Sequence, residues 1–155
     1  MVTTRIPFIS RDLLQCINFW HQTCSLLSAM DGNRILIIDE AGFSRVCSAI
    51  LEFAGFKAEM AVNSHDVAQL LNDNEFRLIV TSYPYGMFLL EEEIRSRNIP
   101  IILLSDHISE DLINYLEGFE KSYCMIKPLD YQKFRTVVNQ LMNGHINNRG
   151  GVNIV

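Results

Sequence analysis

No cluster of lysine and arginine occurs anywhere in this 155-residue chain, and its formal charge is −5. Nonspecific attraction to nucleic acid needs basic side chains to neutralise phosphates, so charge argues against a DNA- or RNA-binding role. No apolar run approaches the ~20 residues that cross a bilayer, and no membrane association is expected. The N-terminus lacks the basic, apolar and cleavage-site order of a secretory signal. The four cysteines, Cys16, Cys24, Cys47 and Cys124, form no CxxC pair and no zinc-type spacing. They are expected as reduced, mostly buried thiols of a cytoplasmic protein. Cys16, His21 and Cys24 could share one helix face around a metal, but no fourth ligand accompanies them. A glycine-rich phosphate loop, a nucleophile elbow and a Cys/His pair are all missing, so neither an enzyme nor a small-ligand domain is the leading expectation.

What is present is a chain 48% apolar, long enough for one substantial core and too short for two. Its clearest signal is Arg34 to Glu40, where Ile35, Leu36, Ile37 and Ile38 run without interruption into Asp39 and Glu40. Such a run suits a strand covered on both faces, as in the parallel sheets of α/β domains. The crevice beyond the carboxyl ends of such strands is where ligands sit, which makes the acidic pair a candidate site. The competing reading is that Asp39 caps the next helix and Glu40 is solvated.

Strand-like and helix-like segments then alternate. A helical pattern through Phe43, Cys47 and Leu51 stops at Gly55. Lys57 to Val62 reads as a second strand, and Asn63 or Ser64 opens a second helix. Arg77 to Thr81 is the third strand, ending at Ser82, and a third helix is expected from about Phe88 to Arg97. Ile101 to Leu104 is the fourth strand, followed by a helix capped by Ser109. Tyr123 to Ile126 is the fifth, running into Lys127-Pro128, and Asp130 caps the fifth helix. The pattern predicts a doubly wound, five-stranded parallel sheet of flavodoxin-like (βα)5 type in the order 2-1-3-4-5. This domain is expected over residues 31–143, with a flexible tail over 144–155.

Residues 1–30 are expected to form a helical extension. Leu13, Ile17, Trp20, Cys24 and Leu27 fall on one stripe. That stripe needs a cover: the domain itself, a second copy, or a groove on a partner. Alternatively Met30 is the natural start and the segment is no working part.

The strand-end residues, Asp39 and Glu40, Ser82, Ser105 and Lys127-Pro128, come in an order that resembles the receiver domain of two-component response regulators, from roughly Asn33 to Asn143. Ile-Leu-Ile-Ile-Asp-Glu is similar to the acidic pair that helps to hold magnesium there. Arg-Leu-Ile-Val-Thr-Ser is similar to the strand that ends in the phosphoacceptor aspartate. Leu-Leu-Ser and Ile-Lys-Pro are similar to the switch Ser/Thr and the closing lysine.

Several departures accompany the resemblance. Ser82 stands where the family has its aspartate, and an acyl phosphate forms only on a carboxylate. A serine hydroxyl needs a base to act as a nucleophile, and none is evident beside it in the sequence. With one carboxylate gone, Asp39 and Glu40 are expected to be a vestigial magnesium site, weak or empty, and Lys127 to pair with these acids. Pro84 and Gly86 suggest a rebuilt loop. Cys124 occupies the switch-aromatic position, with Tyr123 one residue off and so on the opposite face.

The resemblance thus implies a stand-alone pseudo-receiver that works by phosphorylation-independent protein contact, with no required cofactor. Its partner would be a protein, such as a histidine kinase or an output protein. A homodimer is conceivable through the fourth helix, fifth strand and fifth helix, or through the N-terminal helix. The alternative is an active receiver phosphorylated at an unusual residue, Ser82 or Asp106.

Overall fold

A computed structural model of the chain describes residues 33–85, 93–119, 121–144 and 153–154. The extension expected over residues 1–30, its apolar stripe and the Cys16–His21–Cys24 alternative lie outside the described residues. The compact unit that starts at Asn33 runs β1 (Arg34–Ile38), α1 (Ala41–Phe53), β2 (Lys57–Ala61), α2 (Ser64–Asp73), β3 (Leu78–Ser82), α3 (Glu93–Arg97), β4 (Ile101–Ser105), α4 (Glu110–Glu117), β5 (Ser122–Ile126), α5 (Tyr131–Met142) and β6 (Asn153–Ile154). Every neighbouring strand pair is parallel, in the order β2-β1-β3-β4-β5-β6.

The first five strands therefore take the expected order 2-1-3-4-5. Within the tail expected over 144–155, Asn153–Ile154 form a short sixth strand beside β5, and 145–152 and 155 lie outside the described residues. The physical reason lies in β5: an uncovered sheet edge presents unpaired N–H and C=O groups, and even a brief ladder satisfies some of them. Composition carries no trace of such pairing.

The apolar runs behave as a two-sided sheet requires. Ile35, Ile37, Val80, Ile102 and Leu104 face α1 and α5, where Cys47, Leu51, Phe134 and Val138 meet them. Leu36, Ile38, Ile79 and Ile101 face α2 and α3 through Val67, Leu71 and Ile94. Leu103 and Cys124 pack beneath α4 against Leu112, Tyr115 and Leu116. Because successive strand residues point to opposite faces, no polar residue is tolerated inside β1.

Helix ends follow their local chemistry. Asn63 accepts the backbone N–H of Asp66 at 2.9 Å, Ser109 that of Leu112 at 3.2 Å, and Asp130 those of Gln132 and Lys133 at 2.9 and 3.0 Å. Each supplies an acceptor for a helical N–H that has no intrahelical partner. Gly55, at φ 88°, turns the chain out of α1 in a conformation that other residues adopt only with strain. The third helix is described only from Glu93, so its expected start near Phe88 lies outside the described residues.

α3 and α4 are joined by a cation over aromatic rings. The Arg95 guanidinium lies 5.6 Å from the centre of the Tyr115 ring and 5.1 Å from that of Phe119, and the two rings are 5.3 Å apart. A Cβ at Gly118 would overlap that guanidinium, so the glycine leaves room for the stack. Replacing Arg95 with Ala should therefore cost about 1 kcal/mol, measured as a fall in the urea midpoint. A double-mutant cycle with Phe119→Leu should recover a coupling of similar size; independent, additive effects would contradict the stack.

Candidate functional site

Parallel register brings the strand ends to one rim. Ile38 pairs with Thr81, Ser82 with Leu104, and Ser105 with Ile126, which sets Asp39 beside Ser82 and leaves Ser105 and Lys127 at the next strand ends. The backbone confirms the stepping: Tyr83 N–H donates to Leu104 O at 2.7 Å and Lys127 N–H to Ser105 O at 2.8 Å.

Asp39 and Ser82 are both buried, at 4% and 3% exposure, which is low for an aspartate and a hydroxyl at a strand end. The Ser82 hydroxyl donates to Asp39 Oδ2. Asp39 Oδ1 accepts the Glu40 N–H at 2.7 Å, and its backbone carbonyl accepts the Ser44 hydroxyl at 3.0 Å. Thr81 Oγ1 donates to Ile38 O at 2.7 Å, so the neighbouring hydroxyl is taken up by the backbone. Both carboxylate oxygens of Asp39 are thus met by donors, as a buried charge requires. Asp39 does not cap α1: the residue in the N-cap position is Glu40, whose own side chain makes no capping bond.

Two expectations are corrected here. The sequence shows no base beside Ser82, whereas the structure puts the Asp39 carboxylate in direct hydrogen-bond contact with it, from 43 residues away. Lys127, expected to pair with the acids, makes no ion pair with Asp39 or Glu40 among the described residues. Its ammonium lies 4.6 Å from the centre of the Phe43 ring, one turn into α1. The reason is local: the Asp39 oxygens are already engaged by Ser82 and Glu40, Glu40 faces solvent, and the π face of Phe43 offers an electronegative alternative.

Ser105 is buried at the end of β4, but its hydroxyl donates to His107 O at 2.7 Å and so closes its own turn. Tyr123 and Cys124 lie on opposite faces of β5, the first against the α1/α5 side and the second under α4. On the rim, the Tyr85 hydroxyl donates to Val62 O at 3.1 Å and ties the loop after β3 to the end of β2. Gly86 lies outside the described residues.

Among the described residues no group of three His, Cys, Asp or Glu side chains could hold a metal ion. One buried carboxylate with both oxygens engaged, beside one exposed Glu40, does not fit the near-octahedral oxygen cage that magnesium demands. The donor set suits a hydrogen-bonded carboxylate instead.

Cys47 belongs to this corner, although sequence spacing gives no sign of it. Fully buried on α1, its thiol is pushed up to about 12 from 9.0, by desolvation first and the Asp39 charge second, with Lys127 acting the opposite way. Burial alone raises Cys124. Neither thiol is therefore a nucleophile at neutral pH.

Ser82→Ala should leave Asp39 Oδ2 without its donor and lower unfolding free energy by ~1–3 kcal/mol in urea titrations. Ser82→Asp should destabilise more, because two carboxylates would then share the corner. The loss should shrink between pH 7 and pH 4 and on addition of magnesium, read as the melting temperature. For Cys47 the folded value lies above the unfolded one, so its contribution is complete below pH 9 and is lost as pH rises towards 12. Cys47→Ala should flatten the alkaline fall in stability over that window.

No protein-family model matches the chain, and no curated protein matches it. Among solved structures, a two-component response regulator from Clostridium difficile superposes with a TM-score of 0.64 at 21% identity, over 72% of this chain and 96% of that one. A response regulator receiver domain protein (CheY-like) from Methanospirillum hungatei JF-1 gives 0.63 at 20% identity, over 72% and 94%. The receiver domain of the Francisella response regulator 1452 gives 0.61 at 22% identity, over 74% and 99%. The described unit has the fold of response regulator receiver domains.

Proposed function

We propose that this domain is a receiver-like signalling module that acts by protein contact and does not pass through an acyl phosphate. The observation that carries the reading is Ser82, buried at the end of β3 and donating its hydroxyl to Asp39. The position from which a receiver's aspartate would take a phosphoryl group holds no carboxylate. The buried acid Asp39 has its charge solvated by hydrogen bonds, and the lysine rests on Phe43. Magnesium would bind this corner weakly, and the domain needs no cofactor to present its surface.

The partner surface is the face made by α4, β5 and α5, and the partner is a protein such as a histidine kinase, an output protein or a second copy. Nucleic acid is disfavoured by the charge of −5. Among the described residues no helix is long and apolar enough to cross a membrane. Incubation with acetyl phosphate and magnesium should give no hydroxylamine-sensitive adduct. Stoichiometric labelling would defeat the reading.

One observation favours a second reading, in which Ser82 is itself modified: the Asp39 carboxylate is placed to accept the hydroxyl proton. Against it stands the charge that a phosphate ester would bring beside Asp39, and the burial of both groups. Mass spectrometry of protein isolated from cells separates the two, since a stable phosphoserine at position 82 appears only in the second.

A further inference from the structure

The fold gathers cations that the sequence keeps apart. Arg77 stands one residue before β3, Lys121 one residue before β5, and Arg97 ends α3. Arg77 N–H donates to Arg34 O, Ile79 N–H to Pro100 O and Ile101 N–H to Lys121 O, at 3.1, 2.9 and 3.0 Å. These bonds set Arg77, Pro100 and Lys121 along the amino-end rim of the sheet, opposite the rim of Asp39 and Ser82. A cavity of about 380 Å³ opens there, with Arg77, Arg97 and Lys121 in its wall and Phe76, Ile99 and Leu141 as apolar surface. Its lining residues are all described, and none of them is acidic.

The three charges are left without counter-ions. Arg97 Nη1 donates to Leu71 O at 2.5 Å and Nη2 to Asn72 Oδ1 at 2.9 Å. Both acceptors are neutral, so the guanidinium is fixed in place while its charge stays uncompensated. Among the described residues neither Arg77 nor Lys121 makes an ion pair. The chain as a whole carries 18 acidic against 13 basic residues, and this cavity reverses that balance.

We propose that the cavity binds a small organic oxyanion, a phosphate or carboxylate head on an apolar body. Charge assigns the head: guanidinium forks match the paired oxygens of phosphate and carboxylate, and the lysine adds a point charge. The wall assigns the body, because Phe76, Ile99 and Leu141 reward apolar area that a bare inorganic ion does not have. Volume assigns the size: about 380 Å³ falls at the low end of the roughly 300–1,000 Å³ of small-molecule sites. One head group would draw together side chains from the starts of β3 and β5 and the end of α3, and so stabilise the domain by mass action. The site goes beyond the protein-contact role and does not depend on it.

The test titrates the full, nitrogen-15-labelled chain with phenyl phosphate and follows it by heteronuclear NMR. The amides of Arg77, Asn98, Ile99 and Lys121 should shift along one saturable curve, while those of Asp39 and Ser82 stay in place. Inorganic phosphate lacks the body and benzylamine carries the opposite charge, and both should bind at least about tenfold more weakly. Arg77 is exposed and Lys121 half-buried, so Arg77→Gln and Lys121→Gln should melt as the unaltered chain does. Each should weaken phenyl phosphate about tenfold, as loss of a charge-assisted hydrogen bond does. Benzoate replaces the head: saturable binding of either compound supports the proposal, and the tighter of the two identifies the head. Shifts scattered over the surface or centred on Asp39 would overturn it. So would inorganic phosphate binding as tightly as phenyl phosphate, tetraglutamate binding more tightly than either small molecule, or affinity untouched by both substitutions. A hydroxylamine-sensitive adduct from acetyl phosphate would defeat the phosphorylation-independent reading and leave this site standing.

Discussion

A carboxylate at 4% exposure has to be solvated by the protein itself, and the carboxyl end of this sheet is arranged around that requirement at Asp39. Water would otherwise supply several hydrogen bonds to each oxygen, and their loss without replacement costs far more than the domain could absorb. Ser82 meets one oxygen and the Glu40 N–H meets the other. A second acid at position 82 would require a cation to hold the pair together, whereas a hydroxyl requires none. The serine therefore does more than remove an acceptor: it makes the corner self-sufficient. Lys127 is released to lie on Phe43, and Ser105 turns back on its own loop.

The fold was largely legible in the chain because its signals are local. Uninterrupted runs such as Ile35–Ile38 and Ile101–Leu104 announce strands buried on both faces, and Asn63, Ser109 and Asp130 mark helix starts with side chains that do cap them. Five such units with short links leave few ways to wind. The site was legible as a set of positions, since order along the chain places Asp39, Ser82, Ser105 and Lys127 at successive strand ends. Its contacts were not. Whether Lys127 meets a carboxylate or a ring depends on what else occupies the carboxylate, and that is decided by residues 43 positions apart. Cys47 escaped for the same reason, being an ordinary inward residue of α1 until the strands set Asp39 beside it. β6 escaped because two residues carry no periodicity.

The two edges of the sheet are protected differently. At β2, Lys57 is exposed and Glu59 is held 3.6 Å from Arg34 of β1, so charge guards a strand that would otherwise invite pairing. At β5 the residues Tyr123, Cys124, Met125 and Ile126 offer no such charge, and a short strand of the chain itself performs the same office. One edge is closed by electrostatics and the other by occupancy.

The thiol of Cys47 lies buried beneath the acidic corner, and the Asp39 charge adds to desolvation in keeping it protonated. Oxidants and alkylating agents attack the thiolate, so a corner that holds its carboxylate charged also shelters the sulfur next to it from chemical damage.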